Sequence, residues 1–226
     1  MIQENLNEVR ARIAEACKRS GRRAEDVKLI AVSKFKPVSD LEQAIEAGQT
    51  VFGENRVQEL CDKYPVLPGE LEWHLIGHLQ RNKVKYIIDK AAMIHSVDSI
   101  RLAKQISEEA VKAGVVMPVL LEINVAREES KFGFFMEETE AAVREIAKMP
   151  GIRVRGLMTI APFVEDSEDN RKYFKNLYEL SVDIQSKNID NIDMVELSMG
   201  MTGDYEVAIE EGATMIRVGT GIFGSR

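Results

Sequence analysis

Apolar positions along this chain follow two periods in turn. Leu6, Val9, Ile13 and Cys17 recur at helical spacing and stop before Gly21, which predicts an amphipathic N-terminal helix closed by glycine. Beyond it, eight short apolar runs, at 27–34, 50–55, 71–77, 93–98, 118–125, 152–160, 194–200 and 214–219, read as strands. Helical stretches stand between them at 38–47, 99–113, 137–148, 167–186 and 204–211. Strands alternating with helices imply a parallel sheet, because parallel neighbours need a crossover connection. Eight such units in 226 residues favour a closed (β/α)8 TIM barrel with an extra N-terminal helix over an open doubly wound sheet. No Gly-x-Gly-x-x-Gly follows the first strand, which counts against dinucleotide binding. No linker or low-complexity run divides the chain, so residues 1–226 are expected to form a single barrel domain.

Composition narrows the partners. The 37 Asp and Glu against 30 Lys and Arg leave a net charge of -7, which opposes general attraction to nucleic acid or anionic membrane, so an anionic ligand needs a local site. The polar start Met1-Ile2-Gln3-Glu4-Asn5 carries no apolar leader core, and no run approaches membrane-span length; the expectation is a cytoplasmic protein. Cys17 and Cys61 stand in no Cys-x-x-Cys or Cys/His cluster and read as small apolar residues, with no metal site expected.

Candidate chemistry gathers where the strands end. In Leu29-Ile30-Ala31-Val32-Ser33-Lys34, period two puts Lys34 on the face of Ile30 and Val32, pointing inward at a strand mouth. Desolvation there would favour the neutral amine that condenses with an aldehyde, whereas a lysine that snorkels outward would have no such role. Active groups of a barrel lie at the C-terminal ends of its strands, and phosphate commonly binds in the loops after strands seven and eight. Those loops here are Ser198-Met199-Gly200-Met201-Thr202-Gly203 and Gly219-Thr220-Gly221, glycine-rich and hydroxyl-bearing, able to cup an anion or simply to turn the chain. Arg217 shares its strand face with Met215 and Gly219 and is expected to point into the barrel. It could pair with Glu196 or Glu122, or contact the ring nitrogen of a pyridoxal cofactor. Asn55 and His74 reach the mouths of strands two and three, while Tyr205 and Glu206 read as a helix start.

Several segments together resemble one family. Ala31-Val32-Ser33-Lys34, Phe52-Gly53-Glu54-Asn55-Arg56-Val57-Gln58-Glu59, His74-Leu75-Ile76-Gly77-His78-Leu79-Gln80-Arg81-Asn82-Lys83, Arg155-Gly156-Leu157-Met158, Ser198-Met199-Gly200-Met201 and Ile216-Arg217-Val218-Gly219-Thr220-Gly221-Ile222-Phe223-Gly224 look like the pyridoxal phosphate homeostasis proteins, in order and over nearly the whole chain. The resemblance implies a barrel similar to the N-terminal domain of alanine racemase, binding pyridoxal 5'-phosphate as a Schiff base. It carries that lysine to Lys34, the phosphate cup to Ser198, Gly200, Gly219 and Thr220, and the ring-nitrogen contact to Arg217. Asn55, His74 and Met158 would surround the ring. The sequence runs only to Arg226, so a closing helix is expected to be short or absent.

Two functions from different classes follow. One is a monomeric carrier that buffers pyridoxal phosphate and delivers it to apoenzymes, with no catalytic residue; the other is a racemase-like enzyme. Two-base racemisation needs a proton donor on each face of the substrate carbon. In alanine racemase the base opposite the lysine is a tyrosine of a second domain not found in this sequence, and Tyr64, Tyr86, Tyr173 and Tyr178 lie in or beside helical segments. An arginine at the ring nitrogen also weakens the ring as an electron sink. The carrier is the expected function.

Overall fold

The computed structural model describes residues 1–225, and the predicted barrel is there. Eight parallel strands close in sequence order: β1 (Lys28–Val32), β2 (Val51–Glu54), β3 (Glu72–Leu75), β4 (Met93–Val97), β5 (Met117–Glu122), β6 (Ile152–Met158), β7 (Ile192–Met201) and β8 (Met215–Val218). The helices are α1 (Ile2–Arg19), α2 (Val38–Glu46), α3 (Val57–Lys63), α4 (Ile100–Ala113), α5 (Thr139–Ile146), α6 (Arg171–Ser186), α7 (Tyr205–Glu210) and α8 (Thr220–Phe223). The main core lies between strands and helices, where Phe52, Trp73, Leu75, Leu121, Leu157 and Phe174 are buried. A small second cluster, Ile30, Met93, Leu120, Met158 and Met215, lies inside the barrel itself.

The extra N-terminal helix has a structural assignment. α8 is a single turn, too short to cover its side of the barrel, and α1 packs there against α7, α8 and α2. It buries Leu6, Val9, Ile13, Ala16 and Cys17, each large apolar side chain contributing roughly 1.5–3 kcal/mol. Asn5 Nδ2 donates to the Ile222 carbonyl at 2.8 Å and ties α1 to α8.

Most strands end one or two residues inside their predicted bounds, where the chain leaves the ladder for the loops at the barrel mouth. β7 goes the other way and runs to Met201. Its register against β8 slips between Ser198 and Met201, so three steps on β7 match two on β8. Gly200 absorbs the extra residue at φ 93, where a Cβ would also stand 2.6 Å from that of Ala208. The helix α3, absent from the sequence reading, follows β2 directly. Among the described residues no helix is long and apolar enough to cross a membrane.

Candidate functional site

A cavity of about 370 Å³ opens at the C-terminal mouth of the barrel, lined by Lys34, Asn55, Arg217, Gly219 and Thr220 from five of the predicted positions. Val32, Ile76, Ile160 and Met201 form its apolar walls, and Thr202 and Gly203 complete the rim beside α8. Ile76 and Ile160 carried no signal in the sequence beyond their apolar character. A larger cavity of about 660 Å³, containing Arg56, Gln58, Lys83 and Tyr86, adjoins it through Asn55.

Lys34 is not the desolvated, strand-borne lysine that period two predicted. β1 ends at Val32, and the Lys36 N–H closes a turn onto the Ser33 carbonyl at 3.0 Å. Phe35 takes φ 61 and its N–H donates to Glu59 Oε2 at 2.6 Å, which ends the strand alternation. Lys34 is therefore exposed at the lip of the cavity instead of inside the barrel. Its neighbour Lys36 is committed elsewhere: its ammonium donates to the carbonyls of Phe223 at 3.0 Å and Gly224 at 3.3 Å.

The turn bearing Lys34 is held from behind by buried charge. Lys63 Nζ donates to Glu54 Oε1 at 2.7 Å and to the Ser33 carbonyl at 2.8 Å, while Ser33 Oγ donates to the same Glu54 oxygen at 2.6 Å. Burial pushes the Glu54 carboxyl above its ordinary value, opposed by Lys63 and Ser33. Gly77 packs on the backbone beside it, where a Cβ would come within 2.4 Å of the Asn55 carbonyl oxygen. That contact sets Asn55 at the rim.

Arg217 points into the barrel as the alternation on β8 requires, and it is buried at the base of the cavity. Neither Glu196 nor Glu122 pairs with it. Nη1 donates to Ser198 Oγ at 2.5 Å and Nη2 to the Thr159 carbonyl at 2.8 Å. Glu196 instead accepts from Thr214 Oγ1 at 2.6 Å. Burial pushes the guanidinium down to about 10, with the Glu122 and Asp204 carboxylates opposing, so it is a cation at neutral pH. Glu122, itself buried, is pushed up to about 7 by burial and by Asp98, against the pull of Arg217.

The remaining predicted residues lie beneath the cavity and do not line it. Ser198 and Gly200 belong to the prolonged β7, one facing Arg217 inside the barrel and the other packed on α7. Met158 belongs to the interior apolar cluster. His74 is fully buried and hydrogen-bonded at both ring nitrogens, to His95 at 2.7 Å and Glu72 at 2.8 Å. Burial, together with His74, Arg217 and Lys28, holds His95 well below the usual imidazole range. Among the described residues no group of three or more His, Cys, Asp or Glu could hold a metal ion.

The family described as "Alanine racemase, N-terminal domain" matches residues 5–226. The "Pyridoxal phosphate homeostasis protein" of Aquifex aeolicus is 45% identical over 224 residues, covering 99% of this chain and 97% of its own length. The chain belongs to the pyridoxal phosphate homeostasis family. Among solved structures, PipY of Synechococcus elongatus with PLP bound superposes on this family member at a TM-score of 0.86 with 34% identity, over 99% of this chain and 100% of its own. An alanine racemase of Clostridium difficile shares the fold at a TM-score of 0.75 and 17% identity, with the chain covering 56% of it.

Proposed function

We propose that this chain binds pyridoxal 5'-phosphate at the barrel mouth, holds it covalently through Lys34, and serves as a carrier that buffers the cofactor and delivers it to apoenzymes. The observation that carries this reading is the convergence on one cavity of a primary amine with no partner among the described residues, a buried guanidinium and two hydroxyl- and glycine-bearing loops. The donor set fits the group. Thr202, Gly203, Gly219 and Thr220 supply hydroxyl and backbone donors for a phosphate, Arg217 a fixed cation below, and Ile76, Ile160 and Met201 apolar walls for a ring. The cofactor would supply an aldehyde that condenses with an amine. Lys34 holds that amine at the lip, where its exposure leaves it reachable by an incoming acceptor. PipY with PLP bound supports the assignment.

The walls facing the cavity also favour a carrier over a racemase. Among the described residues that line it, Lys34 is the one amine, and the remaining side chains are amide, hydroxyl, guanidinium or apolar, so no imidazole, carboxyl or phenol stands opposite it as a second base. His74, expected among the surroundings of the ring, has both nitrogens engaged below.

Incubation with pyridoxal 5'-phosphate, borohydride reduction and peptide mapping test the site. The expected adduct is on Lys34; an adduct on Lys36, or colour that survives Lys34→Ala, overturns the assignment. Chiral chromatography after incubation with L-alanine or L-serine tests the carrier reading, which turnover near about 1 per second, at the low end for enzymes, would refute.

A further inference from the structure

The interior of a barrel is normally filled by branched apolar side chains. Here an unbroken file of polar groups crosses it. Lys28 Nζ donates to Glu72 Oε1 at 2.6 Å at the N-terminal end. The same Glu72 oxygen contacts His74 Nε2 at 2.8 Å, and His74 Nδ1 contacts His95 Nε2 at 2.7 Å. His95 Nδ1 contacts Ser198 Oγ at 2.8 Å, and Ser198 Oγ accepts from Arg217 Nη1 at 2.5 Å. Glu72 and Lys28 are half-exposed on the face opposite the cavity, while His74, His95 and Ser198 are fully buried.

The chemistry of the two ends dictates the direction of every bond between them. A guanidinium only donates, so Ser198 Oγ accepts from Arg217 and has its own proton to give. His95 Nδ1 must take that proton, which leaves the hydrogen of a neutral His95 on Nε2. His74 Nδ1 must then accept, and its hydrogen sits on Nε2, directed at the Glu72 carboxylate. Each proton has one acceptor and each acceptor is used. The reverse order, with His74 donating through Nδ1, makes His95 donate to Ser198, whose hydroxyl proton then has no acceptor in a fully buried place.

We infer that Glu72, His74 and His95 are positioning residues for Arg217: a one-way hydrogen-bond relay, running from Arg217 to the Glu72–Lys28 pair on the far face, fixes the orientation and charge of the guanidinium at the base of the cofactor cavity. This also answers how Arg217 is tolerated with no carboxylate within ion-pairing distance. The charges acting on it through space are the Glu122 and Asp204 carboxylates, while the aligned donors give its hydrogen bond to Ser198 an unbroken continuation that ends on Glu72, itself paired with Lys28. Burial of His95 beside His74, Arg217 and Lys28 keeps it in the neutral form the relay needs. The inference rests on the proposed cofactor site for its purpose but not for its existence.

The chain has three histidines, so ¹⁵N-labelled protein gives a direct reading, with exposed His78 as the internal comparison. At neutral pH, without cofactor, His74 and His95 are both expected as neutral Nε2–H tautomers; an Nδ1–H tautomer at either, or a cationic ring, overturns the relay. Its purpose is read from cofactor retention. His95→Leu, which cuts the file, is expected to weaken pyridoxal 5'-phosphate binding by about tenfold or more. His95→Gln, whose amide can accept from Ser198 and donate to His74, is expected to stay within about threefold of the parent. Equal affinity in His95→Leu and the parent overturns the positioning role. If the parent loads no cofactor at Lys34, the proposed function fails while the tautomer result still decides the relay.

Discussion

The barrel mouth and the buried polar groups below and behind it follow opposite rules. At the mouth, Lys34 keeps its donors available, and Thr220 donates to Thr202 Oγ1 at 3.2 Å on the exposed rim, which leaves the Thr202 hydroxyl proton free; the backbone sets their places through the turn at Phe35 and the bulge at Gly200. Inside, Glu54, Lys63, His74, His95, Ser198 and Arg217 are buried, and each is hydrogen-bonded to others. A binding group must stay uncommitted to meet its ligand, whereas a buried polar group must be committed to avoid a desolvation cost. Substitutions at the mouth should therefore change binding with little effect on stability, and substitutions inside should cost stability first.

The largest effect is expected at the pair behind the lysine turn. Lys63→Met keeps the packing volume but strands the Glu54 carboxylate, which is fully buried. Chemical denaturation should show a loss of about 3–5 kcal/mol, and the double variant Glu54→Gln/Lys63→Met should recover much of it. A loss no larger than that of an average surface change would show that the pair is not a committed interior group.

Next is Glu122, whose folded carboxyl, pushed up to about 7 from an ordinary 4.5, binds its proton more tightly than the unfolded chain does. Its contribution to stability is fully present below pH 4.5 and is lost as pH rises through 7, on the order of 3 kcal/mol in all. Glu122→Gln should gain stability relative to the parent on that scale at pH 8 and little or nothing at pH 4. Parallel stability curves for the two proteins would contradict this.

The smallest stability effect is expected for Lys34→Ala. The side chain is exposed in a turn and makes no hydrogen bond or ion pair among the described residues, so the thermal midpoint should correspond to a change within about 0.5 kcal/mol even as covalent retention of pyridoxal phosphate is lost. A large destabilisation would place Lys34 with the interior groups.

Local periodicity was enough for the eight strands in order, the N-terminal helix, the inward direction of Arg217 and the glycine loops at the mouth. These depend on spacings of two and 3.6 residues and on turn chemistry, which neighbours in the chain carry. Period two singled out Lys34, though as an inward strand residue, and the family motifs matched it to the proposed Schiff-base position. Tertiary structure alone decided where each strand stops and what each buried polar group meets. The turn closing at Ser33 and Lys36 takes Lys34 out of the strand alternation, and a bulge at Gly200 carries β7 past Ser198, so that Ser198 faces Arg217 instead of the rim. The partner of His95 lies 103 residues away across the barrel, and the carboxylate that ends the file of donors sits on the opposite face from the cavity. Such pairings come from closure of the sheet and the need of every buried donor for an acceptor, conditions that no local window of the sequence contains.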